Sequence, residues 1–333
     1  MDVISIVRLG YLSAAALVLV VALIPPFRSR FLAYGARTST PNTLAAEHEK
    51  DLARRVNGGI GIMESWLDKL AAIQVPHSWF TSFYLASLAW SLIWATQVFT
   101  AGPLFRLVAY LAGPREETMT YRQVVVTWAM LLVQGSRRLY ESREFARPSE
   151  SQMWFVHWVL GLGFYTATGM AVWVEGIPAI QSHKFTLDSI AITGPDVRTF
   201  FAILLFILAS GIQHDCHNYL FSLKSKSTPQ SSTKPISSAT LDKVQGEGDY
   251  KFPEHSAFSY VIAPHYTAEC LIYLAFTIMA APQGQWINGT LGCATAFVVV
   301  NLGATADVTR GWYRQKFGRV RVGRKWRMLP FIW

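Results

Sequence analysis

Charge is what this chain has least of: Asp, Glu, Lys and Arg make up 15% of its 333 residues, against about 25% in an ordinary soluble domain. That shortage argues against a soluble globular protein. Cysteine is scarce too. Cys216, Cys270 and Cys293 sit in or beside apolar segments, which excludes a disulfide framework and fits a reducing compartment. No G-x-G-x-x-G follows a strand pattern: "NGGIG" at 57–61 and "GLG" at 161–163 both lack the third glycine and the βαβ context. A bound dinucleotide would therefore not be held by a Rossmann unit. There is no P-loop, no nucleophile elbow and no internal repeat.

What the chain does have is apolar length, with 51% hydrophobic and 14% aromatic residues. A membrane-spanning helix needs roughly 20 apolar residues. Candidate segments are Leu9–Ile24, Phe80–Thr100, Tyr121–Ser136, Met153–Val174, Thr199–Leu220, Phe258–Ala281 and Ile287–Ala306, the third being the shortest on apolar content. The fold class expected is an all-α integral membrane protein with seven transmembrane helices. Pro25-Pro26-Phe27-Arg28 offers no small-residue cleavage site, so the first segment reads as an anchor and not a signal peptide.

With seven spans, the connections 25–79, 137–152, 221–257 and the tail from 307 share one side and hold 24 of the 30 Lys and Arg. The opposite connections contain Arg106, Arg115, Lys184 and, near a helix start, Arg198. The positive-inside rule then puts the C-terminus in the cytosol and the N-terminus in the lumen. The net charge of +9 suits a face opposite anionic lipid headgroups, or the entry of an anionic cofactor. Residues 37–58 are polar and helix-compatible. Residues 224–249 have almost no large apolar side chains and read as a mobile loop.

Ionisable groups at bilayer depth are costly and mark sites. The fifth segment ends "GIQHDCHNYLFSLK" (211–224), where Gln213, His214 and His217 share one helix face. Zinc would need third and fourth ligands at familiar spacing, and these are missing, so no metal is expected. A structural hydrogen-bond cluster and a cofactor or substrate site remain open. The sixth segment carries His265, Glu269 and Tyr273 at i, i+4 and i+8, with Pro264 placing His265 in the first turn. The third ends "QGSRRLYESREF"; Arg137 and Arg143 read as interfacial anchors, whereas Arg138, Tyr140 and Glu141 suggest a site. In the tail, "TRGWYRQKFGRVRVGRKWRMLPFIW", Arg310, Tyr313, Arg324 and Lys325 suit either an interfacial anchor or a phosphate clamp.

Together "WYRQKFG" and the terminal "GRK…LPFIW" resemble the steroid 5-alpha-reductase family, and "RRLYE", "QHDCH", "PHYTAE" and "VPHSWFTSFY" (75–84) are more similar to its polyprenal reductase branch. The likeness is dense over the last 125 residues or so. It implies an endoplasmic-reticulum multi-pass enzyme using NADPH in a pocket open to the cytosol. By position, the family's cofactor contacts fall on Arg138, Gln213, His217, Lys251, His265, Glu269, Tyr313, Arg324 and Lys325, with His214 and Arg310 beside them. Residues 1–79 would be an anchor helix and cytosolic connection, and 80–333 a six-helix reductase domain with its catalytic and cofactor region at about 195–333. Two positions depart from the family: Phe83 stands where the steroid branch has a glutamate, and Thr309-Arg310 where histidine is frequent.

The chemistry narrows the substrate. An isolated alkene or allylic alcohol has no electron sink for hydride, whereas an α,β-unsaturated aldehyde passes charge to oxygen. The expectation is polyprenal as substrate and dolichal as product, with the isoprenoid chain lying among membrane lipids. His265, Tyr140 or Tyr84 would polarise the carbonyl, and Glu269 would hold the nicotinamide amide or orient His265. No nucleic acid and no obligatory protein partner is called for. Three alternatives stand beside this reading. They are a reductase of another enone lipid, a lipid methyltransferase using S-adenosylmethionine, and a seven-helix receptor or transporter. The methyltransferase would need a paired-glutamate motif, which is missing after residue 269. A receptor or transporter leaves the Arg, Lys and Tyr of the tail unexplained.

Overall fold

Asp2 starts the first helix. Its carboxylate accepts from the Ser5 N–H at 2.7 Å, and α1 (Val3–Leu23) runs to Pro25-Pro26, where missing N–H groups end it. The structure, a computed structural model, describes residues 1–32, 58–145, 151–184, 194–225 and 251–332. The polar stretch at 37–58 and the low-complexity stretch at 224–249 fall outside these residues except at their edges.

After α2 (Gly58–Ala71) come β1 (Gln74–Pro76) and α3 (Thr81–Phe99). The chain then turns by 84° into α4 (Pro103–Ala112). Ala101 takes a positive φ at this bend, and Gln97 Oε1 receives the first free N–H of α4, that of Leu104, at 3.0 Å. A capping box of Thr120 and Gln123 opens α5 (Tyr121–Glu144). Next are β2 (Gln152–Trp154), α6 (Phe155–Ala171) and a turn through Glu175 into the short α7 (Ile177–Ser182). Helix α8 (Val197–Ser225) packs along α9 (Pro264–Met279), and α10 (Gly289–Phe317) packs along α1. The turn α11 (Arg319–Val322) leads into the tail.

Every expected span contains a helix, but the bounds differ. Among the described residues, helices within Val3–Leu23, Phe155–Ser182, Val197–Leu223 and Gly289–Phe317 are long and apolar enough to cross a membrane, and the bent α3–α4 pair makes up to five. Helix α5 is long, yet Arg122 lies at one end and Arg137, Arg138, Glu141, Arg143 and Glu144 at the other. Helix α9 has 16 residues, because Pro264 starts it six residues later than the expected span begins. The chain is thus a mostly helical membrane protein. One element was not foreseen: β1 pairs antiparallel with β2, Val75 opposite Met153. Two three-residue strands separated by about 75 residues leave no periodic pattern to read.

The core lies where α9 meets its neighbours. Ile272, Tyr273, Phe276 and Met279 are fully buried, and Phe164 packs on Tyr11, Tyr273 and Phe297 with ring centroids 5.1–5.8 Å apart. Outside, Leu17, Leu92, Phe200, Phe201, Ile207 and Leu208 are exposed, an apolar belt that requires lipid. At the end where α10 begins, Glu175 accepts from Arg8 Nη2, Thr290 N and Thr290 Oγ1, which joins α1, the turn before α7 and α10. The sequon Asn288-Gly289-Thr290 is built into this junction. Asn288 is wholly buried, caps Leu291 N and donates to Ala280 O.

Candidate functional site

Spacing on α5 builds the site. Gln134, Arg137, Arg138 and Glu141 stand at i, i+3, i+4 and i+7, one continuous stripe facing the polar turn of α8 and the start of α9. Glu141 is its hub, 1% exposed. Its Oε1 accepts from Arg137 Nη1 at 2.5 Å and lies 2.8 Å from His214 Nδ1; its Oε2 accepts from Arg138 Nη1 and lies 2.8 Å from His217 Nδ1. Burial would push the Glu141 carboxyl up. Hydrogen bonding from His217 and the Arg138 charge outweigh it and hold the group well below the usual carboxylate range.

A second chain of bonds runs the other way. Arg137 Nη2 donates to the side-chain oxygens of Gln134 (2.7 Å) and Gln213, and both amide nitrogens donate to Glu269 Oε2. A guanidinium that can only donate faces one end of this chain and a carboxylate the other, so both amides are fixed in orientation. On the far side, Arg138 Nη2 donates to Tyr84 Oη at 2.7 Å, with the guanidinium 5.0 Å from the tyrosine ring. Tyr84 is buried at 3% exposure among Phe80 and Tyr165, whose rings are 5.7 and 5.8 Å away.

His265 sits in the first turn of α9, as expected, with its ring 5.5 Å from His217 and 6.2 Å from Phe258. Phe258 O in turn accepts from Lys325 Nζ at 2.6 Å, linking the tail to the helix ends. The tail is held in place by backbone bonds from Ile262 and Ala263 to Trp326 O and Arg327 O. Asp307 on α10 accepts from both Arg28 and Arg327. Tyr313 packs 5.5 Å from Phe252, and Arg310 Nη2 donates to Gly323 O. Lys251 and Arg324 are exposed at the same end.

Two sequence readings need correction. Tyr140 is 59% exposed, since it lies about 200° around the helix from Arg138 and leaves the stripe. Arg137 is no interfacial anchor but the bridge between Glu141 and the two glutamines, whereas Arg143 is exposed as an anchor should be. Glu141, singled out with Arg138, proves to be the hub, whereas Gln134 was passed over, although its i, i+3, i+4, i+7 spacing with Arg137, Arg138 and Glu141 carried the signal. Among the described residues, no group of three or more His, Cys, Asp or Glu side chains could hold a metal ion.

The donor set fits a dinucleotide phosphate. Arg137 Nε and Arg310 Nε are buried without a hydrogen-bond partner, so two guanidiniums retain unused donors, one in each half of the site. Burial pushes the Lys325 ammonium down from its ordinary value, as expected for a cation enclosed at the tail. Arg310, Arg324, Lys325 and Lys251 would meet phosphates, while Gln213 and Glu269 offer the amide and carboxylate a carboxamide needs.

A buried ion-pair stripe, a buried tyrosine and a basic tail define the class, a helical membrane protein with a polar site among its helix ends. Residues 152–333 match the family model described as 3-oxo-5-alpha-steroid 4-dehydrogenase, and the chain belongs to that family. Similar proteins include the polyprenal reductase of Xenopus laevis, 24% identical over 80% of each chain. The human polyprenal reductase is 25% identical over 78% of this chain and 79% of its own, and polyprenal reductase 2 of japonica rice is 25% identical over 79% and 80%.

Proposed function

We propose that this protein reduces the α-isoprene C=C of polyprenal to dolichal with NADPH, as a step of dolichol synthesis for protein N-glycosylation at the endoplasmic reticulum. The observation that carries the reading is the Arg138–Tyr84 contact inside the buried stripe, in a chain whose relatives include polyprenal reductases. The proposed topology has seven spans, a lumenal N-terminus and a cytosolic C-terminus, with the stripe and tail together at the cytosolic side.

NADPH, when bound, supplies the hydride that reduces the C=C. The chain's own residues prepare the acceptor. Tyr84 Oη accepts from Arg138 and is within hydrogen-bond reach of the Tyr165 hydroxyl; with Tyr165 donating as well, the Tyr84 O–H is left to donate to the aldehyde oxygen, where charge accumulates as the β-carbon takes hydride. A preorganised donor of this kind contributes about 3–4 kcal/mol to the transition state. Tyr84 is preferred over Tyr140 for this role because it is buried and oriented. His265, facing His217, closes the other side of the head-group space, and Glu269 fixes the two glutamines. Arg310, Arg324 and Lys325 would bind phosphates, and the exposed apolar belt would leave the long isoprenoid in lipid.

The experiment is direct. Purified protein with NADPH and polyprenal should consume the cofactor and yield dolichal by mass spectrometry. Polyprenol with NADPH alone should stay unreduced, since it lacks the carbonyl sink. Conversion of polyprenol to dolichol without an oxidation step would overturn the mechanism.

A further inference from the structure

Glu141 has no part in the reaction as written so far, yet it is the most heavily bonded carboxylate among the described residues. Four groups converge on it, two per oxygen: Arg137 donates to Oε1 and Arg138 to Oε2, and His214 Nδ1 and His217 Nδ1 each lie 2.8 Å from one of these oxygens. It is 1% exposed, so it is no solvent-facing counter-ion.

The consequence lies one bond away. Arg138 has one guanidinium fork for two tasks: Nη1 faces Glu141 and His217, and Nη2 donates to Tyr84 Oη. A planar fork held at Nη1 by a fixed carboxylate has its Nη2 direction fixed as well. His217 alone cannot do this. Its Nδ1 lies 2.7 Å from Arg138 Nη1 and 2.8 Å from Glu141 Oε2, and it either accepts from the former or donates to the latter according to tautomer. With Glu141 present, the carboxylate holds Arg138 Nη1 in either tautomer of His217, and Nη2 is turned to the tyrosine. Without it, His217 accepts from Arg138, and the bond to Tyr84 competes with other positions of the guanidinium.

We infer that Glu141 is a positioning residue for the reduction: it holds Arg138 so that Nη2 occupies a lone pair of Tyr84 Oη, which leaves the tyrosine proton to the substrate carbonyl. This rests on the reading of Tyr84 as the carbonyl donor. The charges facing the group come from every element packed on it. Arg137 and Arg138 lie on its own helix, His214 and His217 on α8, and Glu269 is reached through Gln213 and Gln134. Glu269 makes its described bonds to amides and leaves Glu141 as the carboxylate paired with both arginines.

The test is a double-mutant cycle on the full-length protein in detergent. Glu141→Gln keeps the shape and removes the charge; it should lower kcat for an α,β-unsaturated aldehyde lipid on the order of 10- to 100-fold, the range for losing an outer group that orients a functional one, while the aldehyde KM stays within about twofold. In a Tyr84→Phe background the same substitution should cost less than about threefold, because the group it positions is already gone. A merely structural role would keep its full cost in both backgrounds, and that outcome overturns the assignment. Should Glu141→Gln fail to accumulate, Glu141→Asp carries the same cycle with the charge retained but one methylene too short to reach all four partners. Full kcat in a folded Glu141→Gln also overturns it. A wild-type protein inactive on every enal lipid would instead remove the reductase reading, and this assignment with it.

Discussion

Glu175→Ala should be the costliest single substitution at the end of the molecule away from the Tyr84 stripe. The Glu175 side chain is 4% exposed, and its Oε1 accepts from Arg8 Nη2 at 2.8 Å, Thr290 N at 2.8 Å and Thr290 Oγ1 at 2.5 Å. Removing one partner of a buried ion pair costs about 3–5 kcal/mol when the other charge is trapped. The Arg8 side chain is 33% exposed and can turn to water or lipid headgroups, which puts its share near 2 kcal/mol. The first turn of α10 loses an acceptor for the Thr290 N–H, which adds about 1 kcal/mol, as for a lost helix cap. A total of about 3 kcal/mol corresponds to a drop of roughly 6–12 °C in Tm for a chain of a few hundred residues. Thermal unfolding of the detergent-purified protein, followed by tryptophan fluorescence, measures it. Glu175→Gln keeps an acceptor oxygen and should lose about half as much. Turnover per folded molecule should be unchanged, because almost the full length of α5 separates Glu175 from Arg138. A Tm within about 1 °C of wild type would refute the view that this carboxylate joins α1, the turn before α7 and α10.

Three further outcomes are expected. Tyr84→Phe should fold, since its ring stays packed among Phe80 and Tyr165, and should lower kcat on polyprenal by roughly 10²–10³-fold for the lost donor; near-normal turnover would move that role to His265, tested by His265→Phe. NADPH should bind more tightly than NADH, and Arg324→Ala should weaken NADPH while NADH is little affected, read by fluorescence titration, because an arginine meets the extra phosphate. A reporter fused after Trp333 should be cytosolic and one at Lys184 lumenal; a cytosolic Lys184 would mean that one of the seven spans is wrong.

The helices were legible because apolar runs and proline or asparagine punctuation are local. Pro25-Pro26 ends α1 and Pro264 starts α9, each by the absence of an N–H, and these are read without knowing the fold. The site was half legible. Gln213, His217, His265 and Glu269 stood out because polar residues interrupt apolar helices, and they meet in the structure. The α5 side of the site was misjudged at Arg137 and Tyr140. An arginine at a helix end next to cytosolic loops has a ready explanation as an anchor. Its actual partners, Gln213 and Glu141, lie 76 and 4 residues away, and only packing brings the first within reach. The β1–β2 pair and the 84° bend after α3 rest on contacts equally remote from local pattern.

The central claim is where the hydride goes. Wild-type protein supplied with polyprenal and NADPH deuterated at the transferred position should give dolichal with one deuterium on the β-carbon, C3, and none on C1, by NMR. The same reaction in D2O with unlabelled NADPH should place deuterium on the α-carbon, C2. Deuterium on C1, with polyprenol as product, would show reduction of the carbonyl itself and contradict the account.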